Sequence, residues 1–283
     1  MKPKIYDCFT YFNEDKLLKV RLETLWDSVD YFIICESILT FTAKPKPINF
    51  NFEAFDKYKS KIRYLLIDKF PLGLKSAWDY EIYQRNFLKN GLKDASPNDL
   101  VMISDVDEII NPEIINNFNF DKYYRGVFQM KHYQYYLNNL KINQSGSPVL
   151  WEVAAITTYK NFEEKFKTMN NLRRYKSKGM FWLLKNKYME LIKTQIIPLG
   201  GWHFGWMGGT EAIISKLESF SHQKLNVIKY KNPISIEAKI KAGKDVFKRN
   251  EFYHLESVDG SFPFYIKNNE VEFEDWILNS VNP

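Results

Sequence analysis

Leu100-Val101-Met102-Ile103-Ser104-Asp105-Val106-Asp107-Glu108 runs four apolar residues straight into two aspartates spaced two apart. A short uninterrupted apolar run reads as a strand buried on both faces, the kind that fills the middle of a parallel sheet. Upstream the pattern repeats. Residues 4 to 10 and 30 to 36 are β-branched and aromatic runs, and between them Leu18, Leu22, Leu25 and Trp26 recur at helical spacing. A third run, Ile62 to Ile67, leads to a predicted helix from Ser76 to about Leu92, with Gly91 as its C-terminal signal. Strands alternating with helices predict an α/β fold around a mostly parallel central sheet. Ligands of such sheets gather at the carboxyl ends of the strands, which is where Ser104 to Glu108 falls.

The second half lacks this rhythm. Strand-like stretches at Gly126 to Tyr133 and Val149 to Thr158 precede a basic segment and a compact Gly-rich turn, and the last forty residues, acidic and aromatic, are expected to wrap back onto the body. With no repeat and no linker, residues 1–283 read as a single domain. At 283 residues, 45% hydrophobic and 26% charged, disorder, collagen and coiled coil are excluded. The apolar runs fall short of the roughly 20 residues of a membrane span. The start, Met1-Lys2-Pro3-Lys4, leads into a strand without an apolar signal region, so the expected compartment is the cytoplasm. Cys8 and Cys35 lie inside apolar runs and read as core thiols.

The net charge of +6 is concentrated. Lys160 to Lys193 holds ten Lys or Arg against three Glu, a local +7 that leaves about −1 for the rest. Phosphate or acceptor binding is one reading of this segment and a solvated face is the other.

Asp105 and Asp107 at a strand end can reach one hard divalent cation, Mg²⁺ or Mn²⁺, which would hold a diphosphate. By itself the triplet is weak, since a chain with 15 Asp shows about one Asp-x-Asp by chance. Position is what lifts it. The stretch from Gly200 to Gly209 contains five glycines around His203, with Thr210 placed to cap a following helix. His203 reads either as a nitrogen ligand for the same ion or as a structural histidine. His222 is weaker, and His132 and His254 have no supporting context. Trp78, Glu81 and Arg85 share one helix face, where Glu81 and Arg85 either pair with each other or bind the ligand, with Trp78 stacking on it. No G-x-S-x-G, Walker loop, G-x-G-x-x-G after the first strand or zinc spacing is present.

Taken together, these pieces resemble glycosyltransferase family 17. The resemblance rests on Asp7-Cys8-Phe9 with Phe12-Asn13-Glu14, on Phe41-Thr42-Ala43-Lys44-Pro45-Lys46-Pro47, on Gln84-Arg85-Asn86, and on Ile103 through Ile109. It continues in Gly201-Trp202-His203-Phe204 with Gly208-Gly209 and in Ser219-Phe220-Ser221-His222. It implies a GT-A type fold, with 1–110 as the nucleotide-sugar half and 111–283 as the acceptor-side half. It also implies a UDP-sugar donor, UDP-N-acetylglucosamine, inverting transfer to a glycan hydroxyl, and a divalent metal. Carried over, Asp105 and Asp107 become the metal and diphosphate motif and His203 the later ligand; Trp78, Glu81 and Arg85, from their shared helix face, join Asp105 as the candidates for donor binding.

The resemblance to GT-A enzymes further implies that the base of an inverting transfer lies between the metal triplet and His203. Glu113 follows Pro112 in a first helical turn, Asp121 sits in a polar turn, and Glu163, Glu164 and Glu190 lie in the basic segment. That leaves Glu152, beside Trp151, with Glu211 at a helix start in reserve. The alternative is a non-catalytic sugar-nucleotide or RNA-binding module using Lys160 to Lys193, although no RNA-binding motif appears and no nucleic-acid partner is expected. A two-carboxylate glycoside hydrolase is a third class.

Overall fold

The computed structural model describes residues 2–174, 193–247, 249 and 251–278. Most of the basic stretch, 175–192, and with it Glu190, lies outside the described residues.

Four strands form the parallel centre: β1 (Ile5–Thr10), β2 (Tyr31–Ser37), β3 (Ile62–Ile67) and β4 (Leu100–Asp105), in the order β4-β1-β2-β3. Cys8 of β1 stands level with Ile33 on one side and Ile103 on the other. Because side chains alternate along a strand, the sheet buries two sets. Phe9, Phe32, Ile34 and Met102 pack with Leu18, Leu22 and Leu25 of α1 (Asp15–Leu25). Cys8, Ile33, Cys35, Val101 and Ile103 pack on the other face with Leu88, Leu92, Phe162 and Leu172. Each such side chain gains about 1.5–3 kcal/mol by leaving water, which is why the apolar runs need no polar face. Cys8 and Cys35 are buried free thiols, as expected, and burial pushes both up.

The Asp79 and Ser76 side chains form a capping box that starts α2 (Ala77–Phe87), and a tighter turn, Leu88–Leu92, completes it. Gly91 does not act as a left-handed helix terminator. A Cβ there would lie 2.3 Å from Cγ2 of Ile33, so the glycine is what lets the turn settle on β2.

The second half adds β5 (Glu108–Ile110), β6 (Arg125–Gln134), β7 (Asn139–Ile142), β8 (Leu150–Trp151), β9 (Ala155–Thr158), β10 (Thr194–Gly205) and β11 (Phe252–Leu255). β9 joins antiparallel to β4 and β6, and β10 runs parallel to β6 and antiparallel to β5. The expected strand from Val149 to Thr158 is thus broken at Glu152–Ala154.

The Gly-rich stretch also differs from expectation: Gly200, Gly201 and Gly205 are strand residues of β10, not a turn. At Gly201, φ is +131° and a Cβ would meet the Ile109 carbonyl oxygen at 2.1 Å, so this glycine serves backbone packing where β10 shifts register between Ile197 and Gly201. The helix Gly209–Ser219 follows. Its N-cap is Gly208 at φ +95°, a conformation that fits glycine, and Thr210 is the second residue of the helix, so Thr210 is not the cap. The C-terminal stretch does wrap back: Phe262, Ile266 and Phe273 pack with Leu17, Val20 and Trp202, and Lys16 pairs with Asp275.

Candidate active site

The site is held from beneath by one arginine. Arg21 of α1 and Asp7 of β1 are both fully buried and pair through two bonds, Nε to Oδ2 at 2.7 Å and an Nη to Oδ1 at 2.5 Å. The remaining donors reach the Ser104 hydroxyl at 2.6 Å and the carbonyls of Asp105 and Glu108, each at 2.9 Å. Both ends of the turn after β4 are therefore clamped by a guanidinium that is itself charge-neutralised.

Above this turn lies a cavity of about 580 Å³. Thr10 and Tyr11 at the end of β1, Leu39 and Thr40 after β2, and Asp105 to Asp107 at the end of β4 form one side, at the carboxyl ends of the parallel strands as expected. His132 and Gln134 of β6, His203 and Gly205 of β10, and Trp206 and Lys216 form the other.

Asp105 accepts from Arg173 at 2.6 Å and lies 3.5 Å from Arg85. Asp107 accepts from Lys216 at 3.1 Å, with His203 Nε2 3.8 Å away. Burial alone would lower the Lys216 ammonium, but Asp107 and Glu14 outweigh it and raise it, so it is charged. Burial lowers the His203 imidazole against the pull of Asp107, so it is neutral, and its buried Nδ1 has no partner among the described residues. Asp107 and His203 are thus brought together, whereas Asp105 turns to arginines. Among the described residues no group of three or more His, Cys, Asp or Glu is placed to hold a metal. As arranged, each carboxylate already has a side-chain cation, and this donor set does not fit a divalent ion.

Glu108, fully buried, organises the wall. It accepts two bonds from Arg173 at 2.6 and 2.7 Å, one from the Asp105 amide at 2.9 Å and one from Trp151 Nε1 at 2.6 Å. Burial pushes its carboxyl up, and Arg173 outweighs this and holds it below the usual range. Trp151 in turn packs on His203 at 4.4 Å, and His203 stacks on His132 at 4.5 Å.

Trp78, Glu81 and Arg85 all reach the cavity. Glu81 and Arg85 pair at 2.5 Å, and Arg85 also donates to Asn170. The Trp78 ring meets His222 edge-on at 4.6 Å, with the Arg174 guanidinium 4.5 Å over it. Glu152 lies on the wall and accepts from Gln129 at 2.8 Å. Glu211 does not belong to the site. It is exposed on the first turn of its helix, outside the cavity lining, because the helix turns Lys216 and Ser219 inward instead.

Arg21, Glu108, Lys216 and His132 carry no local signal that singles them out. Arg21, one of three basic residues on α1, and Lys216 are legible only as a charge on a face that should be apolar. His132 gains its place from the parallel register His203↔His132 across seventy residues of chain.

A charged cavity at the ends of the parallel strands, with paired acidic and basic side chains on its floor, lies where open α/β sheets bind their ligands. The chain belongs to glycosyltransferase family 17, whose model matches residues 1–171. It is 27% identical over 237 residues to the human and rat proteins named beta-1,4-mannosyl-glycoprotein 4-beta-N-acetylglucosaminyltransferase. These alignments cover 76% of this chain and 43% and 42% of the relatives, so the chain spans less than half the length of the curated relatives it matches. Among solved structures it is similar to a 4-diphosphocytidyl-2C-methyl-D-erythritol synthase (TM-score 0.39, 11% identity, 70% of this chain and 89% of that one). It is also similar to S. aureus TarS 1–349 (TM-score 0.36, 14% identity, 80% and 66%).

Proposed function

We propose that the protein transfers a sugar, N-acetylglucosamine, from its UDP-linked donor to a glycan hydroxyl with inversion at the anomeric carbon. The observation that carries this reading is the group Arg85, Arg173, Arg174 and Lys216 on the cavity wall, at the carboxyl ends of a parallel sheet. Cations gathered in a cleft attract the negative charge of a nucleoside diphosphate. Arg85, Arg173 and Lys216 meet the diphosphate as it leaves. Their charge is fixed in advance by Glu81, Glu108 and Asp107, so stabilising the departing oxygen costs little reorganisation. Trp78 and Trp151 offer flat faces for base and sugar. The carboxylates expected to bind a metal are met by side-chain cations instead.

The test is incubation with a panel of nucleotide sugars and glycan acceptors, with Mn²⁺ and with EDTA, measuring free nucleoside diphosphate and glycosylated product. UDP release from UDP-N-acetylglucosamine that rises with acceptor is the expected result. Absence of turnover with every donor in both buffers refutes the reading. Turnover in Mn²⁺ alone would show that Asp107 and His203 exchange Lys216 for a metal.

A further inference from the structure

Resting on that reading of the cavity, we propose that Glu14 is the base that takes the proton from the acceptor hydroxyl. The cavity holds five carboxylates, and four are engaged. Glu81 is paired with Arg85, Asp105 with Arg173, Asp107 with Lys216, and Glu152 accepts from Gln129. Glu14 is held differently. One oxygen, Oε2, accepts from the backbone amides of Phe12 and Asn13, both at 3.0 Å, and Oε1 takes no hydrogen bond among the described residues. The two amides fix the carboxylate without using a side-chain cation, and the second oxygen is left for a hydroxyl.

Burial pushes the Glu14 carboxyl up, with Lys216 opposing and Asp107 adding to the rise. A raised carboxyl is the stronger base toward an alcohol. The charged and titratable groups around it are Lys216 from the helix Gly209–Ser219, Asp107 from the turn after β4, and Tyr11 on its own segment. The step balances. The acceptor oxygen forms its bond to the anomeric carbon while its proton passes to Glu14 Oε1, and the sugar–phosphate bond breaks with its electron pair leaving on the nucleoside diphosphate. Sequence reasoning passed over Glu14 because it placed the base after the aspartate pair, and Glu14 precedes it by some ninety residues.

The experiment compares wild type, Glu14→Gln and Glu14→Ala. For Glu14→Gln, transfer to the acceptor should fall about 10²-fold or more, with UDP-sugar affinity by calorimetry within twofold of wild type. The acidic limb of the wild-type pH–rate profile should flatten. For Glu14→Ala, added formate should restore part of the rate. Transfer at the wild-type rate by Glu14→Gln overturns the proposal. So does equal loss of donor affinity, which would make Glu14 a donor contact, and so does loss of rate without formate rescue and with an unchanged pH profile. A wild-type protein that binds UDP-sugar yet transfers to no acceptor refutes the glycosyltransferase reading itself, and this assignment with it.

Discussion

Replacing Arg21 by methionine removes a guanidinium whose donors hold Asp7, Ser104 and the two carbonyls at the ends of the aspartate turn. Methionine fills most of the volume, so the loss is electrostatic and not a cavity. Asp7 becomes an unpaired charge in a site with no water access, and breaking such a pair from one side costs about 3–5 kcal/mol. Against a typical total of about 5–15 kcal/mol, that is a large fraction. At a urea dependence of about 3 kcal/mol/M, the midpoint should drop by about 1–2 M. The double variant Asp7→Leu/Arg21→Met removes the stranded charge but leaves the carbonyls of Asp105 and Glu108 without a donor. It should recover part of the stability and still sit about 1–3 kcal/mol below wild type. Urea unfolding by circular dichroism measures both. A single variant within about 0.3 M of wild type refutes the clamp. A double variant as stable as wild type shows that Arg21 serves Asp7 alone and not the turn.

Lys216→Met takes the ammonium off Asp107 and leaves the carboxylate beside a neutral His203. UDP-sugar affinity by calorimetry should fall about tenfold, about 1.4 kcal/mol, as a cation facing the diphosphate is removed; an unchanged affinity would mean that Lys216 does not meet the diphosphate. Burial holds His132 neutral in the fold, while unfolded it titrates near 6.5, so its folded value lies below its unfolded one. Below pH 6.5 the unfolded chain binds the extra proton. Stability is full above that pH and falls by about 1.4 kcal/mol per pH unit as pH drops. His132→Phe should remove that share of the slope in denaturation midpoints at pH 7.5 and 5.5, and an unaltered slope counts against it. Gly201→Ala forces a methyl against the Ile109 carbonyl at a positive φ and should cost about 3 kcal/mol by thermal unfolding; a neutral result would place the Gly201 backbone elsewhere.

The parallel centre was legible because its signal is local. Ile62–Ile67 matches the expected strand at both ends, and Leu100–Asp105 starts where the apolar run starts, since a short run of apolar and β-branched residues signals a strand without reference to the rest of the chain. The shared face of Trp78, Glu81 and Arg85 was legible for the same reason: helical spacing fixes it without reference to the rest of the chain. The Gly200–Gly205 stretch was misread as a turn because a glycine needed for close strand packing and one needed for a turn look alike in sequence, and only the approach of β5 separates them. Glu211 was misplaced because its helix's rotation is set by Ile213 and Leu217 finding their core.

From sequence alone follow the α/β class, the position of Asp105 and Asp107 at a strand end, and the family resemblance, all carried by short-range pattern. The tertiary structure decided which charge meets which. Arg173 lies on Asp105 and Glu108 from sixty-eight and sixty-five residues away, and Lys216 on Asp107 from one hundred and nine. A charged side chain states its sign in the sequence but not its partner. Burial makes the partner decisive, because a charge withdrawn from water must be answered by a neighbour that the fold supplies.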